Sequence, residues 1–365
     1  MSEWQTFCLK DLGKIVGGAT PSTNNPKNYG NKIAWITPKD LSTLQGRYIK
    51  KGSRSISRLG FKSCSCVLLP KHAILFSSRA PIGYVAIAKK RLCTNQGFKS
   101  IIPNKKIYFE FLYYLLKYHK DNISNIGGGT TFKEVSGATL GLFKVKIPPT
   151  YYEQQKIART LSTLDQKIEN NHKINELLHT LAYKIYEYYF KYKLKNAKLE
   201  QIIIENPKSS IMVKNAQKTQ DKYPFFTSGD NILSYPKAII DGRNCFLNTG
   251  GNAGIKFYVG KASYSTDTWC ICANEFSDYL YLLLSSIKTH INQSFFQGTS
   301  LKHLQKNLLK KYPIYMPSAH EIKKFNQIIM PLLTLISINT RTSKKLEQLR
   351  DFLLPLLLKQ QVKPQ

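Results

Sequence analysis

No run of 18 uncharged apolar residues occurs in the 365-residue chain, so no segment has the length and character of a membrane-spanning helix. The start Met1-Ser2-Glu3-Trp4-Gln5 lacks the basic-then-apolar order of a signal peptide, and a cytoplasmic protein is expected. Cysteine is sparse and odd in number, seven over the whole chain, which fits free thiols in a reducing compartment rather than a disulfide scaffold. Acidic side chains are scarce as well, 22 against 54 basic ones, leaving a formal charge of +32.

Catalytic machinery is missing in the same way. Gly250-Gly-Asn-Ala-Gly-Ile-Lys256 has the wrong spacing for a phosphate-binding loop and no Ser or Thr after its lysine. Ile147-Pro148-Pro149-Thr150 lacks the amide donor and aromatic platform with which adenine methyltransferases hold an extruded base. No acids show the spacing of a two-metal nuclease site. The seven histidines form no ligand cluster, and Cys64-Ser65-Cys66 and Cys270-Ile271-Cys272 are too closely spaced for zinc, so they read as alternating strand residues. The chain is expected to catalyse nothing and to hold no metal or cofactor.

What is present is a repeat. Gly129-Thr130-Thr131-Phe132-Lys133 returns as Gly298-Thr299-Ser300-Leu301-Lys302, about 168 residues on, and a helix opening near Glu153 returns near Glu321. Leu112, Leu115 and Leu116 match Leu280, Leu283 and Leu284 at that offset. Two like units in one polypeptide can fold about an internal pseudo-two-fold axis. Four segments follow: a mixed domain 1–148, a long helix 149–194, a second mixed domain 195–317 and a second long helix 318–365.

Residues 1–148 carry 24 basic and 6 acidic side chains, whereas 149–194 carry 7 and 5. The positive charge therefore lies mostly on the globular parts, where a polyanion would bind. An AT-rich genome would also favour lysine, which outnumbers arginine 45 to 9. A membrane surface is disfavoured because the long helices are the least basic segments.

In the domains, Cys66-Val-Leu-Leu, Ala73-Ile-Leu-Phe, Tyr84-Val-Ala-Ile-Ala, Cys245-Phe-Leu, Lys256-Phe-Tyr-Val and Trp269-Cys-Ile-Cys read as strands, and Tyr108–Lys120 and Asp278–Lys288 as helices. The first long helix, over Tyr151–Phe190, would be roughly 60 Å long. Its stripe Ile157, Leu161, Leu164, Ile168, Leu178, Ile185, Tyr189 maps onto Phe325, Ile329, Leu332, Ile336, Leu346, Leu353, Leu357. Steps of four and three describe a coiled-coil seam, and symmetry pairs the two helices antiparallel. Asn171 and Asn339 fall inside the stripe as the buried polar pair or pairs that fix register. Pro331 and Pro355 should kink or restart the second helix, over His320–Lys359. The fold class is α+β: two mixed domains alternating with two long paired helices.

Gly17-Gly-Ala-Thr-Pro-Ser-Thr23, Trp35-Ile-Thr-Pro-Lys-Asp-Leu41, Leu75-Phe-Ser-Ser-Arg-Ala-Pro-Ile-Gly-Tyr84, Thr94-Asn-Gln-Gly-Phe98 and Gly129-Thr-Thr-Phe-Lys-Glu-Val-Ser136 resemble the specificity subunits of type I restriction–modification enzymes. So does Ile147-Pro-Pro149 followed by Glu153-Gln-Gln-Lys-Ile-Ala158 and Leu164-Asp165. The second copy departs from it, with Met316-Pro317-Ser318 and Glu321-Ile322-Lys323 at the matching places. The resemblance implies two target-recognition domains that each read half of a split, asymmetric site on double-stranded DNA. It implies helices that set the spacing and recruit two methyltransferase subunits, with restriction (translocase) subunits joining them. S-adenosylmethionine would sit on the partner methyltransferase. Two related readings stay open: pairing with a fused methyltransferase–nuclease, and a coiled-coil nucleic-acid-binding adaptor.

Base edges are read by Arg, Asn, Gln and Thr, and phosphates by Lys, Arg, hydroxyls and amides. Turns with that chemistry are Ser77-Ser78-Arg79, Thr94-Asn95-Gln96 and Thr130-Thr131 with Lys133 in the first domain. In the second they are Asn248-Thr249 to Asn252, Asp267-Thr268 and Thr299-Ser300 with Lys302. Arg79 to Gly83 and Gly250 to Gly254 match at an offset of 171. Arg47, Arg54, Arg58, Arg79 and Arg91 could supply guanine contacts, whereas Lys50-Lys51, Lys89-Lys90-Arg91 and Lys105-Lys106 read as solvated faces.

Overall fold

A computed structural model describes residues 3–129, 133–216 and 222–364. The chain forms two compact units, residues 1–170 with 343–365, and residues 171–342. Each unit holds one mixed domain and a segment of each long helix. Among the described residues no helix is long and apolar enough to cross a membrane.

In the first unit a five-stranded sheet runs in the order Gly13–Gly17, Lys99–Pro103, Ile74–Phe76, Val85–Ala88, Tyr48–Ile49. All its pairs are antiparallel except the last. Strand alternation divides the side chains: Ile74, Phe76 and Ile87 enter one core, while Leu75, Ala86 and Ala88 enter another. The first core is closed by the helix Phe109–Asn125, and the long helices enter the same cluster through Ile157, Ala158, Leu161, Leu354, Leu357 and Leu358.

The second unit repeats the plan with a four-stranded antiparallel sheet, Ile204–Glu205, Thr268–Cys272, Arg243–Asn248, Ile255–Val259. Cys245, Leu247, Trp269 and Ile271 face the helix Ser277–Ser286, and Ala182, Tyr186, Phe190, Phe325, Ile329 and Leu333 share that core. Cys66-Val-Leu-Leu is not a strand; it makes only one isolated bridge, Leu69 to Leu92. The first Cys-x-Cys pair is correspondingly non-strand, its thiols donating to Gly60 and Ala19 carbonyls. The second pair does lie in a strand.

Both long helices open on reciprocal caps. Glu153 N–H donates to Thr150 Oγ1 and Thr150 Oγ1 to the Glu153 carboxylate. At the repeat offset, Glu321 N–H donates to Ser318 Oγ, and Ser318 returns both its N–H and its hydroxyl to Glu321 Oε2. One otherwise orphaned backbone donor, Glu153 N–H, is satisfied at the first helix start, and two, Ser318 N–H and Glu321 N–H, at the second. The α-helices run Tyr151–Tyr186 and Ala319–Leu358, the first ending in a π-turn over Glu187–Lys191. The second runs unbroken through Pro331 and Pro355, so the expected restart does not occur.

Within each unit the helix segments run antiparallel. In the second, Asn175 faces Asn339 while Tyr189 and Phe190 meet Phe325 in edge-on ring contacts. Asn339 pairs with Asn175: Asn339 Nδ2 donates to Asn175 Oδ1 at 2.9 Å, and Asn175 Nδ2 donates to Ile336 O and Thr340 Oγ1. Antiparallel pairing brings together residues whose numbers change in opposite senses, so repeat-related residues need not meet. The seam is also wider than a two-position stripe. Ile157, Leu161, Ile168, Phe325, Ile329 and Ile336 are buried, but Leu164, Leu178, Ile185, Leu332, Leu346 and Leu353 are only partly so. Ala182, Tyr186, Phe190, Leu333 and Leu354 lie deeper, because each helix buries a second face against its own domain.

Among the described residues, one polar cluster of the first unit has no counterpart at the repeat positions of the second. The buried Asp165 accepts from Tyr114 OH at 2.6 Å and from Arg350 NH1 at 2.7 Å, with Arg47 Nε at 4.0 Å. The repeat positions of Asp165 and Arg350 are Leu333 and Ala182, both buried in the apolar core of the second unit. Arg350→Ala should therefore destabilise the protein by about 3–5 kcal/mol by stranding a buried carboxylate. Asp165→Leu combined with Arg350→Ala copies the second unit and should recover most of that loss, as read by urea unfolding.

The Ser318 N–H and the Tyr315 hydroxyl pull the Glu321 carboxyl down to about 2, from an ordinary value near 4.5. A folded-state value below the unfolded one gives stability that is present above pH 4.5 and is lost as pH falls towards 2. Glu321→Gln should melt below the wild type at neutral pH, with the gap closing across that window.

Candidate nucleic-acid interface

In the first domain, three turns that are distant in sequence are tied together through main-chain bonds. Ser77 Oγ accepts from Tyr84 N–H and donates to Pro81 O, closing the first turn. Gly83 lies at φ +101°, where a side chain would be strained. Ser78 N–H donates to Gly97 O at 2.8 Å, and Ser78 O accepts from Val135 N–H at 3.0 Å. The third turn is closed at its neck by Gly128 and Glu134, each N–H donating to the other's carbonyl. A further loop joins them, with Ala19 N–H donating to Thr94 O and Thr20 Oγ1 to Gln96 Oε1.

The second domain is built alike. Thr249 N–H donates to Asp267 O at 3.2 Å, Thr249 O accepts from Leu304 N–H at 3.0 Å, and Gly251 N–H donates to Lys302 O at 2.9 Å. Thr249 thus holds the junction that Ser78 holds in the first domain. Asn248 closes its turn by accepting from Lys256 Nζ and donating to Asn252 O. A Cβ on Gly254 would fall 2.3 Å from Asn248 Nδ2, so a larger residue there would displace the Asn248 amide that closes the turn.

These bonds divide the sequence candidates. Arg79 is half-exposed, and Gln96, Lys133, Asn252, Thr299, Ser300 and Lys302 are exposed around the joined turns. Thr130 and Thr131 lie outside the described residues. Ser78, Thr94, Asn248 and Thr268 are buried and hold the turns instead of facing outward. Thr268 Oγ1 pairs with Ser265 Oγ at 2.9 Å. Asn95 Oδ1 accepts from Gly97 N–H, Thr249 Oγ1 donates to Asp267 O, and the Asp267 carboxylate takes the Ser265 hydroxyl, so these polar groups are at least partly committed to their own turns. Arg47 is no guanine reader. It is buried, with NH1 3.0 Å from Glu110 and Nε 3.2 Å from Glu169. Glu110 has its repeat counterpart in Asp278, which is gripped by Arg243 from another strand.

Three charged residues were not singled out from sequence. Glu134 lies 3.6 Å from Arg79 NH1 and 3.1 Å from Lys99 Nζ. It is one of only six acids in residues 1–148 and sits inside the quoted Gly129–Ser136 motif, a signal that could have marked it. Lys256 donates to Thr227 O at 2.7 Å as well as to Asn248 Oδ1, and burial pushes its pKa below the ordinary lysine value. An ammonium held by neutral oxygens beneath the second domain's turns keeps a positive charge at their base. Lys50, Lys51, Lys89, Lys90, Arg91, Lys105 and Lys106 are all exposed. Among the described residues no group of three His, Cys, Asp or Glu could hold a metal.

The model of the type I restriction modification DNA specificity domain matches residues 1–180 and again residues 188–348. The specificity subunit of the type I restriction enzyme MjaIX from Methanocaldococcus jannaschii is 32% identical over 403 residues, covering 98% of this chain and 93% of its own. The HindI specificity subunit from Haemophilus influenzae is 32% identical over 177 residues, covering 46% of this chain and 38% of its own. The crystal structure of a type I restriction–modification S subunit from M. genitalium shares the fold, with a TM-score of 0.63 at 17% identity over 97% of this chain and 96% of that one. A doubled domain match, near-full-length similarity and the repeated turn plan agree: this chain belongs to the family of type I restriction–modification DNA specificity subunits.

Proposed function

We propose that the chain is the sequence-reading, non-catalytic subunit of a type I restriction–modification complex, each mixed domain reading one half of a bipartite, asymmetric site on duplex DNA. The observation that carries this reading is the same junction built twice, Ser78 to Val135 and Thr249 to Leu304, under different exposed side chains. A shared backbone frame with unlike reading residues suits two different half-sites. Exposed Lys133, Lys302 and the surface lysine clusters would neutralise phosphates and orient the duplex.

The long helices would act as the spacer between the half-sites and as the seat for two methyltransferase subunits, which restriction (translocase) subunits would then join. In support, both helices leave large apolar side chains exposed: Ile174, Leu177 and Leu181 on the first, and Leu335, Ile338 and Phe352 on the second. S-adenosylmethionine and the adenine pocket would belong to the methyltransferase, which would receive the extruded base while this chain positions the duplex.

Duplex affinity should fall steeply with salt, because phosphate neutralisation releases counterions; a flat response in fluorescence anisotropy would reject the electrostatic basis. Inserting one heptad in each long helix, after Asn170 and after Thr342, should lengthen the spacer by about 10 Å, or about three base pairs, with both half-sites unchanged. Methylome sequencing of cells carrying the lengthened chain reads this directly, and an unaltered spacer would refute the ruler.

A further inference from the structure

The contact of Arg79 with Glu134 has no counterpart in the second domain. Matching the two junctions puts Gly250 at the place of Arg79 and His303 at that of Glu134, and these two residues form only a backbone bridge. In the first domain both backbones are held: Arg79 follows Ser78, bonded to Gly97 and Val135, and Glu134 closes the loop neck with Gly128. Their side chains remain 38% and 35% exposed. Lys99 Nζ, at 3.1 Å, anchors the other carboxylate oxygen. Arg79 NH1 lies 3.6 Å from Glu134 Oε2, which orients the fork at the surface of the joined turns.

We propose that Arg79 and Glu134 together read one guanine–cytosine pair in the half-site taken by the first domain. Arg79 donates to guanine O6 and N7, and Glu134 positions Arg79 and accepts from the cytosine amino group. This inference rests on the DNA-reading function proposed above. The chemistry discriminates between the two surfaces DNA offers. A phosphate offers acceptors only, so it could take Arg79 but would leave the Glu134 carboxylate, 3.6 Å from NH1, without a donor. The major-groove edge of a guanine–cytosine pair presents two neutral acceptors beside one donor. A guanidinium next to a carboxylate is the complement of that pattern. The second domain, with glycine and histidine at these places, reads its half by other groups.

Selection of full-length chain on randomised duplexes tests this. The wild type should enrich a split motif with an invariant guanine–cytosine pair in one half. Arg79→Ala and Glu134→Gln should each lose that preference at one base pair, with discrimination falling roughly 5–150-fold there and the other half unaffected. Arg79→Lys keeps the charge but not the fork and should relax the same position. Unchanged melting temperatures confirm that these surface variants fold. Two results would overturn the proposal. One is variants that enrich the wild-type motif. The other is an Arg79→Ala chain that binds all sequences more weakly, with a salt slope shallower by about one, as for a phosphate contact. A wild type that enriches no motif removes the DNA-reading function itself, and this inference with it.

Discussion

Each long helix has to bury two faces at once, one against its antiparallel partner and one against a sheet-bearing domain, and the remaining structure follows from that demand. Ala182, Tyr186 and Phe190 lie in the same cluster as Leu280, Trp269 and Phe325, so the second domain's core is incomplete without both helices. Ile157, Leu161, Leu354 and Leu357 do the same beside Ile74, Phe76 and Leu112 in the first. A helix shared in this way cannot rotate or slide without opening a core. Helix pairing and domain folding therefore stabilise each other within each unit.

Polar groups inside these cores give the pairing its direction. Asn175 with Asn339 marks the second unit, and Asp165 with Arg350, Tyr114 and Arg47 marks the first. Apolar contacts alone tolerate neighbouring registers, whereas a buried carboxylate is satisfied only by the donors that face it in one register. Because Leu333 and Ala182 replace Asp165 and Arg350 in the repeat, the helix pairings within the two units are chemically distinct despite the shared plan.

The turns obey a different constraint. Their backbone amides and carbonyls are bonded to one another across loops, as at Ser78 and Thr249, so shape does not depend on the side chains that point outward. Those side chains are free to differ between the domains, as Arg79 and Gly250 do. The Ser78 backbone and the buried Thr94, Asn248 and Thr268 belong to the frame. Turn composition predicted where polar residues would cluster. It could not separate frame from reader, since both roles favour the same residue types.

The amino-acid order alone determined whatever depends on short, fixed separations. The caps at Thr150 and Ser318, the strand alternation around Leu75 and Phe246, the apolar phase of the long helices and the repeat are all functions of residue spacing along the chain. Which distant groups meet was decided only in three dimensions. Arg47 went to Glu110 and Glu169 in the interior, Asn339 found Asn175, and Glu134 came to stand beside Arg79. Such pairings depend on how whole elements pack, where burial and charge compensation outweigh any local preference, and spacing along the chain does not encode them.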